Sequence, residues 1–305
     1  MFTVFSITLD RFLTSENIIN LVRNVSVLGI LGLGMGLVVI GRGVDLTMVA
    51  IMAVSMSLSI ILAKSGLSFP MALLYGLLFS ILAGLISGWI VAYVEISPIF
   101  ATMAMGSIIY GVGNAYIVVQ MVNPLPKNVD WFLFIGSGKI IGIPLSIWIF
   151  AASAVAIHVL LKVTTLGRYF YAVGDNLESA RISGIPVRPI LVLQYGLSSI
   201  MAFLAGMVTA ASVGNMNIRL FTGTTIYDVL LVVVLGGIGL SGGRGGVRNV
   251  LIGALLIGLL LNGMTILDIT YTVQNLLKSS VLLGALIVDA LINPRDEQTS
   301  QQGDI

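Results

Sequence analysis

The chain has 305 residues, 57% of them hydrophobic and only 9% charged, and its mean hydropathy is +1.07. A soluble domain carries about 25% charged residues, so this sequence lacks the polar surface to stand in water and reads as an integral membrane protein. Its net charge of +2 is too small, and its basic residues too scattered, to serve nucleic acid; with no cysteine there are no disulfides, thiolate metal sites or cysteine nucleophiles.

A membrane-spanning helix needs about 20 mostly apolar residues. The N-terminus lacks the basic region and small-residue cleavage site of a signal peptide. The first candidate span covers residues 25–40 and ends at Gly41-Arg42-Gly43, followed by spans at 46–63, 69–93 and 99–122. Residues 123–144, with three prolines, Asp130 and Trp131, read as the longest outside connection, placed to touch a soluble partner or to cover helix ends. Span 145–163 holds the single histidine, His158, read as a packed or interface-facing side chain and not as a catalyst. Next comes a polar island at 167–185 carrying Arg168, Asp175, Glu178 and Arg181, in a chain with only 15 basic and 13 acidic residues. Spans at 190–213, 228–240, 250–267 and 276–292 follow, and a polar tail at 293–305 is expected to fray. The fold class is therefore an all-α integral membrane protein, a single domain over 1–305 with about nine to ten transmembrane helices, some broken by glycines.

Spans 25–40 and 228–240 are short and end in glycine breaks, at Gly41 and at Gly236-Gly237. Discontinuous helices are tolerated where they face protein or a water-filled path, so both breaks point toward a translocation route. The pairs Gly32/Gly36 and Gly84/Gly88 read as ordinary close helix packing. Orientation follows from basic residues. With the island in the cytoplasm, that side receives Arg42, Lys162, Arg168, Arg181, Arg188, Arg244, Arg248 and Arg295, against Lys64, Lys127, Lys139 and Arg219 outside.

Chemistry-bearing motifs are few. Residues 237–242 match G-x-G-x-x-G, but a membrane helix precedes them and Asn262 stands where an acidic residue is needed, so the run 235–249 reads as a tight turn with Arg244 and Arg248 at the membrane edge. No phosphate loop, metal cluster or Ser/His/Asp triad is present, so neither ATP hydrolysis nor other catalysis is expected of this chain, and no cofactor. Glu95 and Asp268 are expected to cap helices. For Asp45 and Asp228, beside the two breaks, capping and pathway roles stand equal. Inside the island, Asp175 or Asn176 suits an N-cap, Glu178 suits the first turn of a helix, Gly184 suits its end and Pro186 stops it. Ala180 and Gly184, four apart, are expected to share a face that permits close approach.

Five stretches, VVIGRGVDLT (38–47), SPIFATMAM (97–105), TTLGRYFYAVGDNLESARISGI (164–185), VVLGGIGLSGGRGG (233–246) and IGALLIGLLLNG (252–263), together resemble the membrane permease subunits of bacterial ribose-type sugar ABC importers. Within the third, Glu178-Ser-Ala180 followed by Gly184 has the form of the loop that docks such permeases on their ATPase. The resemblance implies a coupling helix starting near Asn176 and a coupling set of Gly174, Asn176, Glu178, Ser179, Ala180, Arg181, Ile182 and Gly184. Pathway candidates are Asp45, Thr102, Asp228 and Asn262. The implied partners are a cytoplasmic ABC ATPase, a second permease subunit, identical or not, a periplasmic solute-binding protein and membrane lipid, at the bacterial inner membrane. Relatives carry a full apolar helix before the position of Leu13, where residues 1–9 stand here, so the first span is lost or the true start lies upstream. Ile226 stands where relatives often have glutamate, and Val49 where glycine is common. The expected function is ATP-driven import of a ribose-like sugar. The alternatives are an ion-driven secondary transporter, or an ABC permease for a nucleoside, autoinducer or amino acid.

Overall fold

A computed structural model describes residues 2–8, 12–118 and 120–292, so the expected polar tail lies outside the described residues. Thirteen helices appear among them: α1 Phe2–Thr8, α2 Ser15–Ile40, α3 Met48–Lys64, α4 Phe69–Trp89, α5 Pro98–Val112, α6 Asp130–Ser137, α7 Leu145–Val163, α8 Thr165–Asp175, α9 Leu177–Ile182, α10 Val187–Val213, α11 Thr225–Leu235, α12 Val247–Ile266 and α13 Tyr271–Ile292. Single π-helical turns extend α4 through Val94 and α5 through Ile117. Four short strands, β1 Val122–Pro124, β2 Lys139–Ile140, β3 Ile143–Pro144 and β4 Asn215–Asn217, pair as β1–β4 and β2–β3, both antiparallel.

Six of the helices are long and apolar enough to cross a membrane: α2, α4 with its π turn, α7, α10, α12 and α13. The expectation of a short, broken first span is corrected. α2 runs 26 residues without interruption, because the Thr14 hydroxyl accepts the Asn17 N–H (3.4 Å) and starts the helix ten residues before the apolar run begins. Glu16, Asn17, Asn20, Arg23 and Asn24 hid that start by breaking the hydropathy, not the helix. The discontinuity lies after α2, at 41–47. Span 228–240 is shorter than its apolar run: α11 stops at Leu235, and Ile238 turns back fully buried while the Asn249 amide donates to the Gly236 carbonyl (2.7 Å).

α2 and α10 form the centre. From Leu28 to Ile40 every residue of α2 is buried, against α10, α12, α7 and α11. α10 carries α4 and α3 on its other faces. The α4–α10 seam is cut for glycine. A Cβ at Gly84 would stand 2.5 Å from Ser199 Oγ and 2.6 Å from the Tyr195 carbonyl, and one at Gly88 would stand 2.8 Å from Val192 Cα. Ser80 locks the same seam by donating to the Ser199 carbonyl (2.6 Å). Gly84→Leu is therefore expected to force the helices apart and cost about 1–3 kcal/mol, the range for overpacking a dense interior. A melting curve in detergent equal to wild type would refute that seam.

The bundle has two distinct ends. At one, the island 167–185 meets the break after α2 and the glycine loop 236–246: the Gly243 N–H donates to the Ile40 carbonyl (2.8 Å) and the Tyr171 hydroxyl to the Gly245 carbonyl (2.8 Å). At the other, residues 123–144 fold down as a cap. β1 pairs with β4, Phe132 is fully buried against Phe69, and Gly136 rests on Ala211 so closely that a Cβ would stand 2.3 Å from its carbonyl carbon. The connection thus covers helix ends. An Ile141-Gly142 turn, both residues at positive φ (55° and 77°), closes its small hairpin.

Candidate functional site

Three local arrangements carry the polar chemistry. The first is the island. Thr164 Oγ1 accepts the Gly167 N–H (3.2 Å) and starts α8. Asn176 then breaks into extended backbone and its Oδ1 accepts the Ser179 N–H (2.9 Å), so Asn176, not Asp175, is the cap of α9. α9 ends in a double return: the Gly184 N–H reaches the Arg181 carbonyl (3.0 Å) and the Ile185 N–H the Ala180 carbonyl (3.1 Å). Gly184 sits at φ 78°, the left-handed region that only glycine enters cheaply. This short helix lifts Glu178, Ser179, Arg181 and Ile182 into solvent, Ile182 being 85% exposed. Ala180 and Gly174 are not on that surface. Ala180 is buried under the helix, and Gly174 is a joint where a Cβ would fall 1.8 Å from the Ile40 carbonyl oxygen. The shared close-approach face expected for Ala180 and Gly184 is thus corrected: one side chain points inward, and Gly184 has no heavy atom within 4 Å of its would-be Cβ.

Beside α9, Glu95 and Arg188 form an ion pair (2.8 Å) that ties the end of α4 to the start of α10, and Arg188 also lies over the Tyr93 ring. The hydrogen bond from Arg188, then its charge, hold the Glu95 carboxyl below the usual range. Glu95 and Asp268 both stand at helix C-termini in left-handed backbone (φ 62° and 51°): Glu95 is the C-cap of the π turn that ends α4, and Asp268 follows Leu267, the C-cap of α12.

The second arrangement is the break at 41–47. Asp45 is completely buried, and its carboxylate accepts the Thr47 N–H (3.0 Å), the Thr47 hydroxyl and the Ser198 hydroxyl (2.7 Å). It therefore organises the start of α3 and ties it to α10. Thr102 joins the same place from α5, its hydroxyl shared between the Pro98 carbonyl of its own helix (2.7 Å) and the Val44 carbonyl (3.1 Å). Gln194 and Tyr195 press on Gly41 and Gly43, where Cβ atoms would stand 2.2 Å from the amide oxygen and 2.7 Å from the phenol oxygen. Arg42, at φ 65°, donates from Nε to the Gly174 carbonyl (2.6 Å) and from Nη2 to the Asp175 carbonyl.

The third lies near the capped end. Asp228, in the first turn of α11, pairs with Lys278 of α13 (Nζ to Oδ1 2.9 Å), whose ammonium also donates to Thr224 Oγ1 (3.1 Å). The side chains are 12% and 5% exposed. Asn262 lies at that end too, in a reciprocal amide clasp with Asn17 (2.6 and 3.1 Å) that fastens α12 to the start of α2. The four pathway candidates do not converge: Asp45 and Thr102 meet at the break, while Asp228 and Asn262 hold separate helix pairs near the other end. Sequence reading missed Lys278, Arg42 and Ser198. A lone lysine inside the apolar run 276–292 was the signal for the first, since a cation there needs a carboxylate. His158 faces outward from α7.

Six long apolar helices, two of them forming a buried central pair, with a capped end and an end bearing a short exposed helix, give a multi-pass α-helical membrane protein. Residues 17–291 match the family described as branched-chain amino acid transport system / permease component, and the chain belongs to it. It is 32% identical over 290 residues to the ribose import permease protein RbsC of Escherichia coli K12, covering 95% of this chain and 90% of that protein. It is 33% identical over 286 residues to RbsC of Bacillus subtilis, covering 94% and 88%. The galactofuranose transporter permease protein YtfT of Escherichia coli K12 matches at 30% over 272 residues, covering 89% and 79%. Among solved structures, PsaBC from Streptococcus pneumoniae in complex with Fab shares the fold, with TM-score 0.50, 18% identity, and 96% and 97% of the two chains covered.

Proposed function

We propose that this chain is the transmembrane subunit of an ABC importer that carries a ribose-like sugar across the bacterial inner membrane. An ATPase on the cytoplasmic face powers it, a periplasmic binding protein delivers the sugar, and a second permease subunit completes the path. The observation that carries this reading is α9: a capped helix of six residues held out from the bundle, with an exposed isoleucine between charged and small neighbours. The ribose and galactofuranose permeases among its relatives support the substrate class. In this reading α3, α5 with its π turn, and α11 join the six long helices as crossings, nine among the described residues. The seven described basic residues of the island end, Arg42, Lys162, Arg168, Arg181, Arg188, Arg244 and Arg248, face the cytoplasm, and Lys64, Lys127, Lys139 and Arg219 the periplasm.

A tagged chain purified from its own host under mild detergent is expected to bring an ABC ATPase with it. Proteoliposomes of that complex, given its binding protein, should take up radiolabelled ribose only with ATP on the α9 side. Ser179→Cys in intact cells should resist a membrane-impermeant thiol reagent. Uptake driven by a proton or sodium gradient without ATPase would overturn the reading, and labelling of Ser179→Cys from outside would overturn the orientation.

A further inference from the structure

We propose that Arg42 is the positioning residue that links the docking helix to the helix break, so that movement at α9 is felt at Asp45 and the starts of α3 and α5. This rests on the reading of α9 as the ATPase contact. The guanidinium of Arg42 spans the α8–α9 junction, donating to the carbonyls of both Gly174 and Asp175, the residues immediately before the Asn176 cap. Its own backbone belongs to the break. Two residues on, the Val44 carbonyl takes the Thr102 hydroxyl, and three residues on, Asp45 takes Thr47 and Ser198. One segment of seven residues, which runs directly into α3, thus has polar attachments to α5, α10 and the α8–α9 junction.

Two further observations single out the side chain. Arg42 holds a left-handed backbone (φ 65°), costly for any residue with a Cβ and kept where surroundings over-determine it. Glycine would suit that conformation better, yet the position carries the longest planar donor available, whose fork fits two adjacent carbonyls at once. The glycine loop closes over the same spot: a Cβ on Gly242 would fall 2.4 Å from Arg42 Cγ, and Gly243 donates to the Ile40 carbonyl. The arginine is clamped on both sides, and packed joints of this kind shift between discrete arrangements in preference to deforming smoothly.

The test uses the whole reconstituted complex with its ATPase and binding protein, measuring ribose moved per ATP hydrolysed. Arg42→Gly keeps the backbone conformation and removes the fork. It is expected to leave ATPase association intact while the ratio falls about tenfold, within the usual range of coupling between sites. Arg42→Lys, which reaches one carbonyl, should give an intermediate ratio; if Arg42→Gly does not fold, this variant decides. A purely structural arginine would lower yield and melting temperature without moving the ratio. Wild-type ratios in assembled Arg42→Gly or Arg42→Lys complexes would overturn the proposal. Failure of the wild-type chain to hold an ATPase would instead overturn the functional reading beneath it.

Discussion

Exchange of Lys278 for methionine is expected to destabilise the protein by about 3–5 kcal/mol, the cost of leaving one member of a buried ion pair uncompensated. Lys278 Nζ lies 2.9 Å from Asp228 Oδ1 and 3.2 Å from Oδ2, with little solvent at either side chain. Methionine matches the lysine stem and strands the carboxylate beside α13. Only 6% of the helix's apolar window is buried, so polar contacts carry much of its attachment: this pair, the Tyr271 hydroxyl at Thr224 (3.2 Å) and the Leu240 N–H on Asp289 (3.3 Å). Asp228→Asn should do comparable harm by stranding the ammonium. The double variant Asp228→Asn/Lys278→Met removes both charges, and its loss should fall well below the sum of the singles, as a double-mutant cycle reads directly. Unfolding in detergent measures stability, and ribose uptake per folded complex measures function. If the double variant is stable and transports normally, Asp228 serves α13 and not the solute. A Lys278→Met protein within about 0.5 kcal/mol of wild type would show that the pair clasps nothing.

Ile182→Asp is expected to release the ATPase. An isoleucine 85% exposed on the tip of a six-residue helix contributes nothing to this chain's core, so the substitution should leave the melting temperature unchanged. Buried in a partner's groove, the same side chain would act as an apolar anchor, and such anchors cost about 2 kcal/mol or more when removed. That corresponds to a fall in ATPase affinity of about 30-fold or more. Co-purification at graded salt and ATP-driven uptake should both collapse. Undiminished ATPase retention with Ile182→Asp would remove α9 from the docking surface. Ala180 offers the matching comparison: being buried, it should respond to enlargement through stability first.

The membrane helices were legible because an apolar run of spanning length finds a matching solvent only in the hydrocarbon of a bilayer, and the island because charges are so scarce around it. Asn176 and Gly184 announced α9 through chemistry that acts within four residues. Helix starts carrying polar residues were not legible: α2 and α13 begin at Ser15 and Tyr271, in stretches that hydropathy alone discards. That the four pathway candidates lie in separate places was hidden for another reason. Asp45, Thr102, Asp228 and Asn262 share polarity, but whether they share a place depends on partners distant in the chain. Ser198 is 153 residues from Asp45, Lys278 is 50 from Asp228 and Asn17 is 245 from Asn262. Composition records none of those separations. Arg42 was visible as a charge beside a break, yet its two carbonyl partners belong to another part of the fold.

The enclosure of α2 has a consequence for how the protein is made. Its interior half touches α10, α11 and α12 rather than lipid, and the last of these begins at Val247. A ribosome adding about 5–20 residues per second needs roughly 10–40 s to travel from Ile40 to that point. α7 and α10 arrive within this interval, but the grooves at Gly32 and Gly36, which Val232, Ile238 and Val250 fill in the finished fold, stay open to any other small-residue helix in the bilayer. Biogenesis of this chain is thus a problem of keeping an early helix unmated until late ones arrive. Truncations ending before Val247 should therefore be held by the insertion machinery or destroyed by membrane proteases, however well their individual helices insert.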